Sequence, residues 1–273
     1  MRGGTRDWTL PAVSAKEPSM IAMAVIGALA GLVVGSFIGV LGERWPRGEQ
    51  VSRGRSRCEA CEKTLGPHEL VPLFSYLVQR GRCRRCHARI PRRLPLVELV
   101  AAGAGAISFA AARQPFDFAW AGFAWALIAL ALLDMRALWL PDRLTVPLAL
   151  AGLAVAALQG YVLLSLAGAL TGFTVLFLFS AIYTVLRGRR GLGGGDPKLL
   201  AAIGAWLGPG ALPLVLLFGS LLGLTAAAIM LVLGRSVSRN TKLPFGTFLI
   251  AGTACYVFLT HLPVSLAYGI PVP

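Results

Sequence analysis

The sequence predicts an all-α, polytopic membrane protein with about eight transmembrane helices, one of them short, and a small zinc-binding cytoplasmic domain between the first two. Three observations predict this fold class. Apolar residues make up 56% of the 273 residues and charged residues only 14%, against about 25% in soluble domains. The apolar residues form long continuous runs. The one long polar interruption, residues 43–93, carries two CxxC pairs.

The helices are predicted from eight apolar stretches. A crossing needs about 20 residues, so eight spans need about 160, which is close to the apolar content of the chain. The sixth stretch is short for a crossing, and we expect a half-helix enclosed by its neighbours. The stretches are Met20–Leu41, Leu94–Ala112, Phe118–Leu133, Thr145–Gln159, Tyr161–Leu186, Leu199–Leu207, Ala211–Leu233 and Phe245–Tyr268. The predicted domains are a periplasmic tail (1–18), a first span (19–42), a cytoplasmic zinc domain (43–93) and a membrane core (94–273).

The distribution of basic residues predicts the orientation in the membrane. The net charge is +14, from 26 Lys and Arg against 12 Asp and Glu. Alternate polar segments hold 22 of the 26 basic residues: Arg44–Arg93 has 13, and the rest lie in Met135–Arg143, Arg187–Lys198 and Gly234–Pro244. The positive-inside rule makes this side cytoplasmic and both termini periplasmic, as in a bacterial inner-membrane protein. No nucleic-acid partner is expected, because the chain is too apolar for a soluble basic binder.

The four cysteines of the polar interruption predict a structural zinc site. Cys58 and Cys61 form one CxxC pair, and Cys83 and Cys86 form a second pair after 21 intervening residues. Four thiolates at this spacing complete a tetrahedron around one Zn²⁺, and the metal stabilises a fold too small for a large core. Two alternatives remain. The second pair with His87 fits a c-type haem motif, and the four thiols could form two disulfides, which a cytoplasmic location disfavours.

Four of the twelve carboxylates lie in or beside apolar runs, where an ionisable side chain is costly and a functional role is the default hypothesis. These four are Glu98, Asp134, Asp142 and Asp196. We expect Asp142 to cap the fourth span and Glu98 to interact with the dipole of the second. The other eight lie in polar segments and are interpreted as solvated charges: Asp7, Glu17, Glu43, Glu49, Glu59, Glu62, Glu69 and Asp117.

Asp134 ends the third span and Asp196 begins the sixth, so the predicted topology places both at the cytoplasmic boundary. Two carboxylates close together near lipid cannot both ionise cheaply, and one keeps its proton. Such a pair can activate a water and protonate a leaving group, as in an aspartic protease. Gly193 and Gly195 would let an extended substrate approach. The alternatives are the ion or proton site of a transporter, or plain boundary charges, with Asp196 as a helix cap ahead of Pro197.

Several motifs together resemble one family, the bacterial type IV prepilin peptidases, which are bifunctional leader peptidase/N-methyltransferases. The resemblance covers nearly the whole chain. GxGD alone is shared with presenilin-like proteases, but the four-cysteine loop is not. The matching stretches are Gly35–Phe37, the two CxxC pairs, Val71–Leu77, Arg80–Cys86, Pro95–Leu99, Asp134, Pro141–Thr145, Gly193–Asp196 as GxGD, and Phe245-Gly246.

The resemblance implies an aspartic endopeptidase that removes the short basic leader of type IV prepilins or type II pseudopilins after a Gly, at the cytoplasmic face. It also implies methylation of the new N-terminal amine with S-adenosylmethionine. The catalytic pair maps onto Asp134 and Asp196, and zinc onto the four cysteines. We expect Asp142, Gly193, Gly195 and Lys198 to support the pair. Membrane lipid is a further expected partner, and the sequence assigns no residues to S-adenosylmethionine. Departures from the family pattern occur at Gly39, Leu94 and Pro197.

Overall fold

The computed structural model describes residues 19–51, 54–188, 191–234 and 243–260. In these residues the backbone forms nine α-helices, short 3-10 turns and two isolated β-bridges. The helices are α1 (Met20–Arg44), α2 (Phe74–Val78), α3 (Arg93–Ala111), α4 (Ala119–Ala137), α5 (Asp142–Leu158), α6 (Val162–Arg187), α7 (Asp196–Leu207), α8 (Leu212–Val232) and α9 (Phe245–Thr260). The predicted all-α architecture is therefore confirmed for this part of the chain. The predicted tail 1–18 and the end of the last stretch lie outside the described residues.

Every one of the eight apolar stretches contains a helix, although they differ in length. Five helical segments of the described chain are long and apolar enough to cross a membrane: Met20–Arg47, Arg93–Ala111, Pro115–Ala137, Val162–Arg187 and Pro209–Val232. The short helix α7 has 12 residues, nine of which are buried, as expected for a segment enclosed by neighbours. The number of helices that cross the membrane beyond these five stays a prediction.

Close helix pairs are built on glycines, because a missing side chain lets two backbones approach. A Cβ placed on Gly27 of α1 would lie 2.2 Å from the carbonyl oxygen of Gly105 on α3. A Cβ on Gly168 of α6 would lie 2.1 Å from the carbonyl oxygen of Gly204 on α7. These contacts attach α1 to α3 and hold α7 against α6. The second pair matters for function, because α7 begins with Asp196.

Aromatic packing fixes the other side of α7. Trp206 stacks on Phe123 of α4 with ring centroids 4.8 Å apart, and its indole N–H donates to the carbonyl oxygen of Leu148 on α5 at 2.8 Å. Trp120 adds an edge contact to both rings. Because a buried indole N–H needs an acceptor, this bond selects one orientation of the ring. Helix α7 is thereby held between α4, α5 and α6.

The polar interruption folds into a compact unit, the cysteine module (residues 54–92), which sits against one end of α1 and α3. Each CxxC pair forms a turn, or knuckle, and the two knuckles have the same local geometry. Cys58 N–H donates to the carbonyl of Lys63, and Cys83 N–H donates to that of Ala88, each at 2.9 Å. Each knuckle also has a residue with positive φ four positions after its first cysteine, namely Glu62 and His87.

The glycine contact between α1 and α3 can be tested with matched substitutions on α3. In Gly105→Val the new side chain meets the backbone of α1, whereas Gly103 has nothing within 4 Å of an added Cβ. We expect Gly105→Val to lower stability by about 1–3 kcal/mol, the usual cost of overpacking. Thermal unfolding of the detergent-solubilised protein measures the effect. Gly103→Val is the control, and an equal loss in both variants would contradict the packing argument.

Candidate active site and metal centre

Asp134 lies in the last turn of α4 and is almost completely buried, with 4% of its surface exposed. Its Oδ2 accepts hydrogen bonds from the backbone N–H of Thr247 at 2.7 Å and from the Thr247 hydroxyl at 3.0 Å. Thr247 belongs to the first turn of α9, where backbone N–H groups have no partner within the helix. Asp134 therefore bridges the end of one helix to the start of another.

Asp196 is the first residue of α7 and is equally buried, with 5% exposed. Its Oδ2 accepts a hydrogen bond from the backbone N–H of Gly193 at 3.0 Å. The cap position of α7 is Gly195, not Asp196, and Pro197 stands second in the helix. The alternative interpretation of Asp196 as a helix cap is therefore wrong, because its side chain turns back to the glycine loop.

Asp134 and Asp196 are 62 positions apart in sequence, yet they reach the same site from the end of α4 and the start of α7. Leu140, in the loop after α4, packs between the two sides of the site. A Cβ on Gly195 would lie 2.6 Å from Leu140 Cβ, and one on Gly246 would lie 2.8 Å from Leu140 Cδ1. The glycines at both positions are thus required by a close approach, which the sequence does not reveal for Gly246.

Asp142 and Lys198 form an ion pair at the mouth of this site. Lys198 Nζ lies 2.7 Å from both carboxylate oxygens of Asp142. Asp142 was expected to cap α5, but the cap position is Pro141 and no side-chain cap is formed. The carboxylate instead turns to α7, so the pair ties the first turns of α5 and α7 together. Both side chains are largely exposed, so the pair adds little stability by itself.

Glu98 joins the cysteine module to α3, whereas Glu69 braces the module from within. Glu98, expected to interact with the helix dipole, is the sixth residue of α3, and its Oε2 accepts from the backbone N–H of Leu73 at 2.8 Å. Glu69 was interpreted as a solvated charge but is buried, with 6% exposed. The backbone N–H of Gly66 and the ammonium of Lys63 hold the pKa of Glu69 below its usual range.

Glu43 is the carboxylate that sequence reasoning missed. It was also interpreted as a solvated charge, yet its side chain is only 12% exposed and contacts Arg93 of α3 at 2.5 Å and Arg136 of α4. Arg47 lies 3.6 Å away. The sequence does carry a signal for its burial: Glu43 lies two residues after the first apolar stretch, as close to the boundary of an apolar run as Asp142. Glu43 therefore links α1, α3 and α4 at one end of the bundle.

The four cysteines converge as their spacing predicts. Their Sγ atoms all lie within 4.8 Å of one another, and those of Cys58 and Cys86 are 3.8 Å apart. A tetrahedral Zn²⁺ with Zn–S bonds of about 2.3 Å requires S–S distances of about 3.8 Å. Backbone N–H groups of Cys86 and Arg85 hold the pKa of Cys83 at about 6, which favours the thiolate that binds metal. The residues present therefore fit a zinc ion, while His68 and His87 are exposed.

Comparison with known proteins identifies the family. Residues 29–112 match the Bacterial Peptidase A24 N-terminal domain, and residues 121–228 match the Type IV leader peptidase family. A prepilin leader peptidase/N-methyltransferase of Burkholderia pseudomallei is 39% identical over 261 residues, covering 84% of this chain and 82% of the relative. The chain belongs to the type IV leader peptidase family.

Two further relatives support this assignment. The prepilin leader peptidase/N-methyltransferase of Aeromonas hydrophila is 43% identical, over 72% of this chain and 69% of its own length. The type 4 prepilin-like proteins leader peptide-processing enzyme of Escherichia coli is 34% identical, over 88% of this chain and 96% of its own length. No solved structure matches the chain.

These comparisons confirm the resemblance drawn from the motifs and the expected enzyme class, a leader peptidase with methyltransferase activity. They favour the peptidase over the transporter interpretation. The family and the five apolar helices together point to an inner-membrane protein. The relatives' names also imply use of S-adenosylmethionine, and the four-cysteine cluster is able to hold zinc.

Metal content gives a direct test of the cysteine cluster. We expect the wild-type protein to contain roughly one zinc per chain and Cys58→Ser to lose most of it, because three thiolates leave the tetrahedron open. Plasma mass spectrometry of the purified protein measures the content. Cys255→Ser is the control, since Cys255 lies on α9 and is not part of the cluster. Equal zinc in Cys58→Ser and the wild type would contradict this site.

Proposed function

We propose that this chain is a membrane aspartic endopeptidase that removes the leader of type IV prepilins or pseudopilins through Asp134 and Asp196. The observation that carries the proposal is that two buried carboxylates, at the end of α4 and the start of α7, lie at one site around Leu140. Oδ2 of Asp196 accepts a hydrogen bond from the glycine loop, and Oδ2 of Asp134 accepts hydrogen bonds from the first turn of α9. These bonds fix the orientation of both carboxyl groups.

The reaction uses the two carboxyl groups in opposite protonation states. Two like charges in a poorly solvated site repel, so one group keeps its proton while the other is ionised. The ionised group takes a proton from a water, whose oxygen attacks the carbonyl carbon of the scissile peptide. The protonated group gives its proton to the carbonyl oxygen, which forms a diol intermediate. As the C–N bond breaks, the group that took the proton of water passes it to the leaving amine, and the other group takes back a proton from a diol hydroxyl. The pair needs no covalent intermediate.

The neighbouring residues position this pair. Gly193 holds Asp196 through its backbone N–H, and Gly195 lets Leu140 pack against the loop. Lys198 and Asp142 tie α7 to α5 at the same end of the bundle. We assign these four residues a supporting role, because each one holds Asp196 or the start of the helix that carries it.

The proposed location is the cytoplasmic face of the inner membrane. Alternate polar segments of the sequence carry 22 of the 26 basic residues, and the positive-inside rule assigns them to the cytoplasm. With about eight crossings, both termini are periplasmic. The zinc domain at residues 43–93 and the catalytic end of the membrane core then face the same side. Because the leader of the resembled family is short and basic, it starts on that side as well.

The membrane surface is a second proposed contact of the cysteine module. Val71, Phe74 and Leu77 are exposed to 44%, 63% and 70%. They lie on α2 and just before it, in the segment that Glu98, in the second turn of α3, binds through the backbone of Leu73. An apolar segment at that depth beside a spanning helix faces lipid. Zinc stabilises the module that presents this segment.

S-adenosylmethionine is the methyl donor for the second activity, the methylation of the new N-terminal amine.

Cleavage tests the catalytic pair. We expect Asp134→Asn and Asp196→Asn each to reduce cleavage of a co-expressed prepilin by roughly 10³-fold or more, because an amide neither takes the proton of water nor donates one as an acid does. Asp142→Asn keeps cleavage within about tenfold of the wild type, because it loses only an exposed ion pair. Mass spectrometry of the pilin N terminus measures the result. Full processing by either of the first two variants, accumulated at normal levels, would exclude the pair.

Contact with lipid can be measured by crosslinking. In liposomes that contain a diazirine phospholipid, we expect light to label peptides that span residues 70–78, because their apolar side chains lie among acyl chains. Peptides that span residues 56–66 serve as the internal control, since this polar knuckle points away from lipid. Peptide mapping by mass spectrometry reads both. Equal labelling of the two segments would contradict docking of the module on the membrane.

A further inference from the structure

A cavity of about 610 Å³ lies between the cysteine module, the last turns of α1 and the first turns of α3. Glu43 of α1, Tyr76 of α2 and Glu98 of α3 are among the residues that line it. Neither Asp134 nor Asp196 contributes to its wall. Peptide cleavage therefore leaves this cavity without a role. Its volume falls within the range of roughly 300–1,000 Å³ typical of small-molecule sites.

The wall of the cavity carries both signs of charge. Six carboxylates line it together with the guanidinium groups of several arginines, namely those of Glu43, Glu49, Glu59, Glu62, Glu69 and Glu98. The arginines are Arg44, Arg47, Arg57 and Arg89. Glu43 Oε2 is buried and accepts no hydrogen bond from the described chain, and the nearby Arg47 Nη2 is 3.6 Å away. Such a wall suits a ligand that presents cationic, anionic and hydroxyl groups at once.

S-adenosylmethionine has this combination of groups. Its sulfonium and ammonium are cations, its ribose presents a diol that carboxylates commonly accept from, and its carboxylate suits an arginine fork. Its adenine is a flat aromatic ring, for which Tyr76 offers a stacking partner. The cysteine module and the ends of α1 and α3 thus supply each type of group that the methyl donor requires.

One ion pair links the wall of the cavity to the helix that carries Asp134. Glu43, on its wall, pairs with Arg136, which follows Asp134 by two residues on α4. The amine to be methylated is created by cleavage at Asp134, so donor site and amine belong to one end of the bundle. The end of α4 therefore carries both Asp134 and the arginine that pairs with the cavity wall, although the two sites share no lining residue.

We propose that this cavity binds S-adenosylmethionine, with carboxylates of the wall holding its cationic and ribose groups and Tyr76 contacting its adenine. The inference rests on the proposed function, because only the methylation step uses this donor. In that step the lone pair of the new N-terminal amine forms a C–N bond to the methyl carbon. The C–S bond breaks, its electron pair stays on sulfur as a neutral thioether, and the methylammonium loses its extra proton to water.

Photolabelling tests the location on the intact protein. The full chain in nanodiscs is irradiated with methyl-labelled S-adenosylmethionine, and the labelled peptides are mapped by mass spectrometry. We expect label within residues 36–49 or 56–98, the segments that form the cavity. Label confined to residues 191–207, around Asp196, would overturn the proposal. This readout needs no substitution and no activity.

A matched pair of substitutions on α2 tests the cavity itself. Ser75 lines it, whereas Leu77 on the same helix is 70% exposed and does not. We expect Ser75→Trp to fill the space and raise the Kd for radiolabelled S-adenosylhomocysteine by at least about tenfold. Leu77→Trp should bind like the wild type. Equilibrium dialysis measures both, and circular dichroism checks that each variant is folded. If Ser75→Trp does not fold, the photolabelling result decides.

The outcomes separate this proposal from the proposed function. If folded Ser75→Trp binds S-adenosylhomocysteine as tightly as the wild type does, the cavity is not the binding site. The proposed methyltransferase activity is not affected by that result. If the wild type does not bind S-adenosylhomocysteine and cleaved pilin stays unmethylated, the methylation half of the proposed function fails, while cleavage is judged by the aspartate variants. Displacement of the bound product by a synthetic leader peptide would assign the cavity to the substrate and overturn the proposal.

Discussion

A carboxylate placed beside lipid needs partners, and this constraint organises the structure. A buried charge without hydrogen bonds or counter-charges is costly. Asp134 is held by Thr247 and Asp196 by Gly193, while Glu43 is surrounded by arginines. Each partner lies on another helix or loop. The hydrogen bonds and ion pairs of these carboxylates therefore also fix how the helices pack, and the carboxylates lie together at one end of the bundle.

The proposed catalytic pair and Glu43 use different partners. Backbone N–H groups, from a glycine loop and from the start of α9, bind the aspartates, and among the described residues neither aspartate forms an ion pair. Arg93 and Arg136 pair instead with Glu43, at the side of the bundle that faces the cysteine module. The proposed site, with one protonated and one ionised carboxyl group, is thus separate from the arginine-paired Glu43, although Asp134 and Arg136 lie two residues apart on α4.

Much of the fold and of the site could be predicted from the sequence, for reasons that particular residues illustrate. The apolar stretches and the four cysteines carry strong local signals, because length and spacing alone determine what they can form. Asp134 and Asp196 stand out because charges at apolar boundaries are rare. Thr247 and Gly246 could not be assigned roles, because a hydroxyl and a missing side chain matter only once α9 is placed against α4. Glu43 and Glu69 were misjudged because burial of a polar segment depends on tertiary contacts.

The two knuckles close a loop of 21 residues whose middle is apolar. Holding the ends of a loop together reduces its conformational freedom, so a metal at the knuckles keeps Val71, Phe74 and Leu77 gathered on one surface beside α3. Without the metal the same side chains would sample water and the surfaces of other chains, as exposed apolar segments do in aggregation. Keeping these side chains away from other chains would then be a task of the cysteines that is separate from any catalytic step.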